Sequence, residues 1–370
     1  MGQGEFAMES VARRAYFSVG SLYERWPDRE SLIADVARGL LIDALRTRFG
    51  TVESEEGALR VVLDDEGRLM TLLGECILAS RTMPSVAEPA RQAYDEVRRE
   101  LQRWMGPGMA WYLSMLGIGG ALMSLMGVKV DDPAGCPAFA DACRIEVSGG
   151  HVVSDGALVA GTELPEVPPL SRDDPVALSL LEAARIVLAE RGGSAARARE
   201  IASRAGVTTG ALYRRYEGKS GLIADVLLLQ LQPDRYAWTW DLIEAFDRAD
   251  PYSAAAGILT DRIEIMASDR EGQEVLLQIG VAARNDEGLR AEVGRRIAAA
   301  LEARRGMIEQ FAEVGLVRLD ASPAVLAWGF QALPVGIRAT LPLLGGVDGA
   351  EVKDAMRAML VAVSPATTGT

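Results

Sequence analysis

Histidine and cysteine are nearly absent from this chain: His151 is the only histidine in 370 residues, and Cys76, Cys136 and Cys143 are the only cysteines. One imidazole cannot build a histidine-based metal centre, and it leaves no general base for Ser-His-Asp or Cys-His chemistry. Three cysteines, odd in number and without metal-ligand spacing, fit reduced thiols in a cytoplasm rather than a disulfide framework. No acid pair suggests catalysis either, so no enzyme activity, catalytic residue, metal or cofactor is expected. Aromatic residues make up 6% of the chain, and no stretch alternates polar with apolar as a half-buried sheet requires. Ala, Leu, Arg and Glu dominate instead, as in helical proteins. The expected fold class is all-α.

An excess of basic residues is also missing. The formal net charge is -13, which speaks against a nucleic-acid binder until the local distribution is read, because phosphate contact depends on local basic groups. From Arg197 to Lys219 six basic residues face only Glu200 and Glu217, and from Glu9 to Arg29 four basic residues face three acids. The N-terminus has an acid and two arginines before any apolar stretch forms, so no signal peptide is expected and the location reads as cytoplasmic. Charge is wholly absent between Arg103 and Lys129. That run, Trp104 to Val128, is long enough to cross a bilayer, but a helix apolar all round is equally at home buried between other helices. The second choice, no membrane, is the expectation, because the matching place downstream, Pro323 to Leu344, is also apolar yet carries Arg338.

What is present is a duplication. REIASRAGVTTGALYRRYEGKSGLIADV, Arg199 to Val226, aligns without gaps on ESVARRAYFSVGSLYERWPDRESLIADV, Glu9 to Val36, with 12 of 28 positions identical. Chance agreement at average composition is roughly two. The offset of 190 residues is far too long for a solenoid repeat, so two fused units are expected. The boundaries read as an N-terminal helix-turn-helix (1–36), a first helical body (37–146), a linker (147–174), a second helix-turn-helix (175–229) and a second helical body (230–370).

The patterns within these segments predict the helices. Asp173-Asp174-Pro175 opens one and Gly192-Gly193 ends it, as acids and proline at a start and glycine at an end should. Downstream helices are predicted near 196–205, 209–216, from Lys219 onward, and near 251–268, 272–284, 287–314, 323–343 and 349–363; the first half should repeat this at 31–49, 58–80, 86–105, 107–127 and 134–145. Arg81 falls where Arg284 falls, each at the end of an equivalent helix. Only MGQGEFA precedes the first helix-turn-helix, so the helix that would pack beneath it is missing and that copy is expected to be looser: either the true start lies upstream, or this half has lost much of its DNA affinity. The segment from Val147 to Asp174, rich in Gly, Ser, Pro and acid, reads as a linker stiffened by PEVPPL.

A helix-turn-helix lays its second helix in the major groove, with side chains at that helix's start facing bases and flanking groups on phosphates. Thr208 and Thr209 stand at such a start; Ala211 offers a methyl to thymine, Tyr213 and Tyr216 offer hydroxyls to phosphates, Arg214 or Arg215 can reach a guanine edge or another phosphate, and Lys219 adds a charge. The string GVTTGALYRRYEGKSGLIADV (206–226) resembles the TetR family of bacterial transcriptional regulators, in which this region reads Gly-Val-Ser/Thr-x-Gly-x-Leu-Tyr-x-His/Tyr-Phe/Tyr-x-x-Lys. The resemblance is specific over Val176 to Leu229 and architectural beyond. It implies a three-helix reader followed by a ligand-binding and dimerisation body, with Thr208, Thr209, Ala211, Tyr213, Tyr216 and Lys219 on DNA. In the first copy Ser18, Val19, Ser21, Tyr23, Trp26 and Arg29 take those places. Tyr16 there replaces the turn glycine Gly206, and Pro27 and Asp28 add stiffness and the wrong sign of charge.

The resemblance further implies pairing through the last two helices of each body, so the two halves are expected to pack as an intramolecular pseudo-dimer reading an asymmetric operator on double-stranded DNA. It also implies a repressor released by an unknown small apolar ligand, for which Trp104, Trp111, Met115, Met266, Phe311 and Trp328 are the candidate lining. The rival reading is a ligand sensor or interaction module whose DNA binding has weakened or been lost.

Overall fold

A computed structural model of the chain describes residues 8–63, 68–128, 174–193, 195–231, 241, 244–245, 248–313, 323–346 and 348–363, and for 231, 311–312 and 361–363 the backbone only. Among these residues there are helices and turns and no strand, so the expected all-α class is what the chain adopts. The predicted helix at 134–145, residues 147–173 of the linker, His151, Cys136 and Cys143 lie outside the described residues.

The first half runs α1 (Met8–Arg14), α2 (Val19–Arg25), α3 (Arg29–Val36), a π-helical turn (Ala37–Leu41), α4 (Ile42–Gly50), α5 (Glu55–Leu63), α6 (Leu69–Ser80), α7 (Pro84–Gln102) and α8 (Pro107–Leu125). The expected single helix over 58–80 is two, α5 and α6. The sequence between them reads Asp64-Asp65-Glu66-Gly67, poor helix-forming chemistry, and Arg68 enters α6 with a left-handed φ of 58°. The expected boundary at residue 36 falls inside a continuous rod, because α3, the π turn and α4 follow one another without a break.

The second half runs α9 (Pro175–Arg191), α10 (Ala198–Arg204), α11 (Thr209–Tyr213), α12 (Lys219–Leu231), α13 (Pro251–Ser268), α14 (Arg270–Asn285), α15 (Glu287–Glu313), α16 (Pro323–Leu344) and α17 (Gly349–Val363). The α9 start is built as its sequence requires: the Asp174 carboxylate accepts from the amides of Val176 at 2.9 Å and Ala177 at 3.2 Å, Pro175 fills the first turn, and Gly192 closes the helix at φ 75°. Caps of this kind are worth about 1 kcal/mol each.

The two uncharged runs find each other. Helices α8 and α16 share the most extensive helix-to-helix packing among the described elements, and most of each is buried inside the protein. Small residues allow the approach, since a helix whose contact position is glycine brings its backbone within reach of its neighbour's. A Cβ on Gly119 would overlap the Ala332 carbonyl and lie 2.9 Å from the Gly336 nitrogen; a Cβ on Gly336 would overlap the Met115 carbonyl and lie 3.1 Å from the Gly119 nitrogen. Each glycine thus meets the other and the residue four before it, a reciprocal contact. Trp328 fills the space beside Gly120, and α8 also packs on α17, where Gly108 lies against the backbone of Glu351 and Ala355.

Ion pairs also cross between the halves in both directions, though from non-equivalent acids. Arg81, at the end of α6, pairs with Glu274 on α14, while Arg284, at the end of α14, pairs with Glu75 on α6. A further cross-half pair joins Arg98 of α7 to Glu351 of α17. One continuous hydrophobic core spans both halves, and Met8, Ala12, Leu22 and Leu32 form a separate small cluster under α1 and α2.

Candidate nucleic-acid interface

Helices α10 and α11 pack on α9 and on each other, and α12 packs on α9; Ile201, Leu212 and Leu222 are all buried in the main core. The turn between them needs a left-handed residue, supplied by Gly206 at φ 69°. Thr208 then caps α11, its hydroxyl oxygen accepting from the Ala211 amide at 3.2 Å. On the outer face this leaves Thr208 exposed, Thr209 half-buried, Tyr213 57% exposed and Arg214 exposed, and Arg197 and Arg199 are exposed as well. That is a polar and cationic surface at the start of a short helix, the chemistry that phosphates and base edges require.

Three members of the expected DNA set are employed elsewhere. Ala211 is buried, with its methyl turned into the reader's own packing. Tyr216 is 9% exposed; burial, with Asp225 adding to it, pushes its phenol up to about 12. Lys219 is half-buried and donates from Nζ to the Gly193 carbonyl at 3.2 Å, tying α12 to the end of α9. Arg215 is likewise held, its guanidinium paired with Asp174 (Nη2 to Oδ1, 3.1 Å), which keeps the Asp174 carboxyl below the usual carboxylate range. For Arg215, Tyr216 and Lys219 the physical reason is common: a three-helix reader is too small to fix its geometry by apolar packing alone, so polar side chains near the turn lock it.

The first copy reproduces the scaffold with different joints. Ser18 caps α2, accepting from the Ser21 amide at 3.0 Å, and Asp28 and Ser31 form a reciprocal capping box on α3. The Asp28 carboxyl is lowered by those Ser31 hydrogen bonds, so the acid that reads as the wrong charge for DNA is there to start α3. Ser18, Val19, Ser21 and Tyr23 are exposed, Tyr23 by 43%. Trp26 is not available to phosphate, because its indole Nε1 donates to Asp35 Oδ2 at 3.0 Å while Arg25 stacks 4.7 Å above its ring. Arg29 is half-buried, and burial lowers its guanidinium. Sequence reasoning missed Asp35 and Asp225, which stand at equivalent places and each face the aromatic residue that closes the reader. The signal was available: an acid identical in both copies inside the otherwise apolar LIADV.

At the turn, Tyr16 takes φ 58° with its ring 97% exposed. A left-handed β-carbon residue with no packing in return costs about 1 kcal/mol. Tyr16→Gly is therefore expected to stabilise the first reader by about 1 kcal/mol, measured as slower hydrogen exchange at the Leu22 amide; unchanged or faster exchange would show that the turn is unstrained.

The ligand candidates fall on several elements. Met115 sits at the α8–α16 crossing with its sulfur 2.9 Å from the Thr340 hydroxyl, and Trp328 covers Gly120 in the same crossing. Trp111 is buried on α8, Met266 is half-buried on α13, Trp104 lies 36% exposed beyond α7, and the Phe311 side chain is outside the described residues. Met115 and Trp328 are packing where the halves meet, because that crossing consumes the large residues beside its glycines.

With this geometry in hand, comparison with known proteins bears on the second reader. Residues 180–226 match the family model described as bacterial regulatory proteins, tetR family. No curated protein matches the chain. Among solved structures it is similar to one from Rhodococcus sp. assigned to the TetR family of transcriptional regulators (22% identity, 50% of this chain and 97% of that chain, TM-score 0.39). It is similar also to one from Mesorhizobium loti MAFF303099 with the same assignment (15%, 51% and 95%, 0.38) and to NalD, the secondary repressor of the MexAB-OprM multidrug efflux pump in Pseudomonas aeruginosa (17%, 52% and 98%, 0.35). The family match falls on α9 to α12, the segment whose outer face carries Tyr213 and Arg214.

Proposed function

We propose that the chain is a cytoplasmic DNA-binding transcriptional regulator, a repressor, and not an enzyme. Its two units, 1–146 and 175–370 joined by 147–174, pack as an intramolecular pseudo-dimer. The observation that carries the DNA reading is the outer face of α11: Thr208, Tyr213 and Arg214 stand exposed on a helix whose own joints are closed by Arg215, Tyr216 and Lys219. The family match over these helices supports it. The pseudo-dimer is supported by the reciprocal crossing of Gly119 and Gly336, an isologous contact written into one chain, and by the two ion pairs Arg81–Glu274 and Arg284–Glu75 that α6 and α14 exchange across the halves. Two unlike readers held in such a frame favour an asymmetric operator, and a small apolar ligand in the body would release it.

The test is fluorescence anisotropy of the full chain with DNA flanking its own gene, at two salt concentrations, against a scrambled duplex. Selective binding that weakens steeply with salt is expected. Equal binding to both duplexes at both salts would move the ligand-sensor reading ahead.

A further inference from the structure

We propose that the first reader carries an open seat for a helix, and that its occupant is an amphipathic helix of a partner protein with a carboxylate at each end. The inference goes beyond the DNA reading and rests on comparing the two copies of the reader. In the second copy α9 packs on both α10 and α11, and arginines hold its two ends. At its start the Asp174 carboxylate accepts from Arg215, Nη2 to Oδ1 at 3.1 Å. In its last turn the Glu190 carboxylate accepts from both Nη1 and Nη2 of Arg204, at 2.6 and 2.8 Å, the paired geometry that guanidinium and carboxylate favour. The two acids stand sixteen residues apart, about 24 Å along a helix.

Both arginines recur in the first copy, as Arg14 and Arg25, at the positions aligned with Arg204 and Arg215. Here both are exposed: Arg14 has no acidic partner among the described residues, and Arg25 lies over the Trp26 ring. Among the described helices none stands on α1 and α2 as α9 stands on α10 and α11. The apolar surface is open to match. Ala205 and Val207 are half-buried against the main core, whereas the aligned Ala15 is exposed and Phe17 is 63% exposed.

The second copy dictates what fits. A helix laid in the place of α9 sets an apolar face on Ala15 and Phe17 and brings an acid to each arginine, a helix-in-groove mode of recognition. Helix α9 is the template for that partner, with Leu181, Ala184 and Leu188 buried at helical spacing. Duplex DNA is the rival claimant on two exposed arginines. The aligned Arg204 and Arg215 are engaged by α9, however, and bare apolar side chains beside the cations suit a helix better than phosphate. A filled seat also supplies what the first reader lacks, since its separate cluster holds only Met8, Ala12, Leu22 and Leu32 as buried residues. The partner thereby governs how well ordered this reader is.

The experiment is fluorescence anisotropy of a labelled peptide, residues 173–191 of this chain, titrated with the full chain in the absence of DNA. One peptide is expected to bind per chain with a Kd of about 100 μM or tighter, and a scrambled peptide is expected not to bind. Arg14→Glu/Arg25→Glu should weaken binding at least about tenfold, and Phe17→Ser about tenfold. A peptide carrying Asp174→Lys and Glu190→Lys should bind that double variant at least about tenfold more tightly than the unaltered peptide does, because the charges are exchanged across the same contacts. No binding to the wild type, unchanged binding to the double variant, or no gain from the charge-reversed peptide would overturn the proposal. Should the double variant fail to fold, Phe17→Ser decides: unchanged peptide affinity overturns it. A wild-type chain that ignores the peptide, with a double variant that loses affinity for duplex DNA, would assign the two arginines to phosphate instead.

Discussion

Gly336→Val is expected to destabilise the chain by at least about 3 kcal/mol, at the upper end of what overpacking costs. A Cβ there meets the Met115 carbonyl, which is backbone, so no rotamer change makes room and α8 and α16 must separate. Separation strips contact from the crossing around Thr340, Met115 and Trp328, and two helices apolar on nearly every face lose their cover. Gly119→Val, which meets the Ala332 carbonyl, should behave alike. The double variant should cost much less than the sum, because one displacement relieves both overlaps. Gly257→Ala is the control: it lies inside α13 with open space around it, and should stabilise by about 0.5–1 kcal/mol. Urea midpoints followed by tryptophan fluorescence separate these outcomes. An unchanged midpoint for Gly336→Val would mean that the crossing is not a fixed contact and would remove the chief support for the pseudo-dimer.

The crossing shows where the amino-acid sequence was readable and where it was not. Elements and their ends were legible because the signals are local: Asp174 and Pro175 before α9, Gly192 after it, Thr208 and Ser18 before the two recognition helices. The turn swap was legible too, since Gly206 and Tyr16 occupy aligned positions and both take positive φ. Less local facts were hidden. That α8 is apolar was plain, but which of its glycines would meet Gly336 depends on a partner more than 200 residues away. The internal partners of Lys219 and Trp26, and the burial of Tyr216, were hidden for a related reason. A hydroxyl, an ammonium or an indole N–H advertises a donor, and only the fold decides whether it serves a phosphate or, as here, Gly193 and Asp35, or is buried beside Asp225.

Those reassignments concentrate the DNA chemistry on few side chains, which leads to the second large expectation. Tyr213→Ala/Arg214→Ala should weaken operator binding by about 100-fold or more, at 1–3 kcal/mol for each direct contact, whereas Tyr23→Ala/Arg25→Ala should cost only several-fold. The difference comes from anchoring as much as from charge. Leu212 and Ile201 belong to the main core, and Arg215, Tyr216 and Lys219 hold α11 in place before DNA arrives. The first reader rests on its own cluster of Met8, Ala12, Leu22 and Leu32, with a strained Tyr16 in its turn. A weakly packed reader opens locally and must be ordered on binding, which subtracts from whatever its contacts contribute. Arg25 is moreover drawn over the Trp26 ring. Removing one phosphate contact lowers the slope of log affinity against log salt by about 1, so Arg214→Ala measured across a salt series distinguishes a phosphate contact from a guanine contact. Equal losses from the two double variants would show that both readers carry the operator and that the anchoring of α11 makes no difference to affinity.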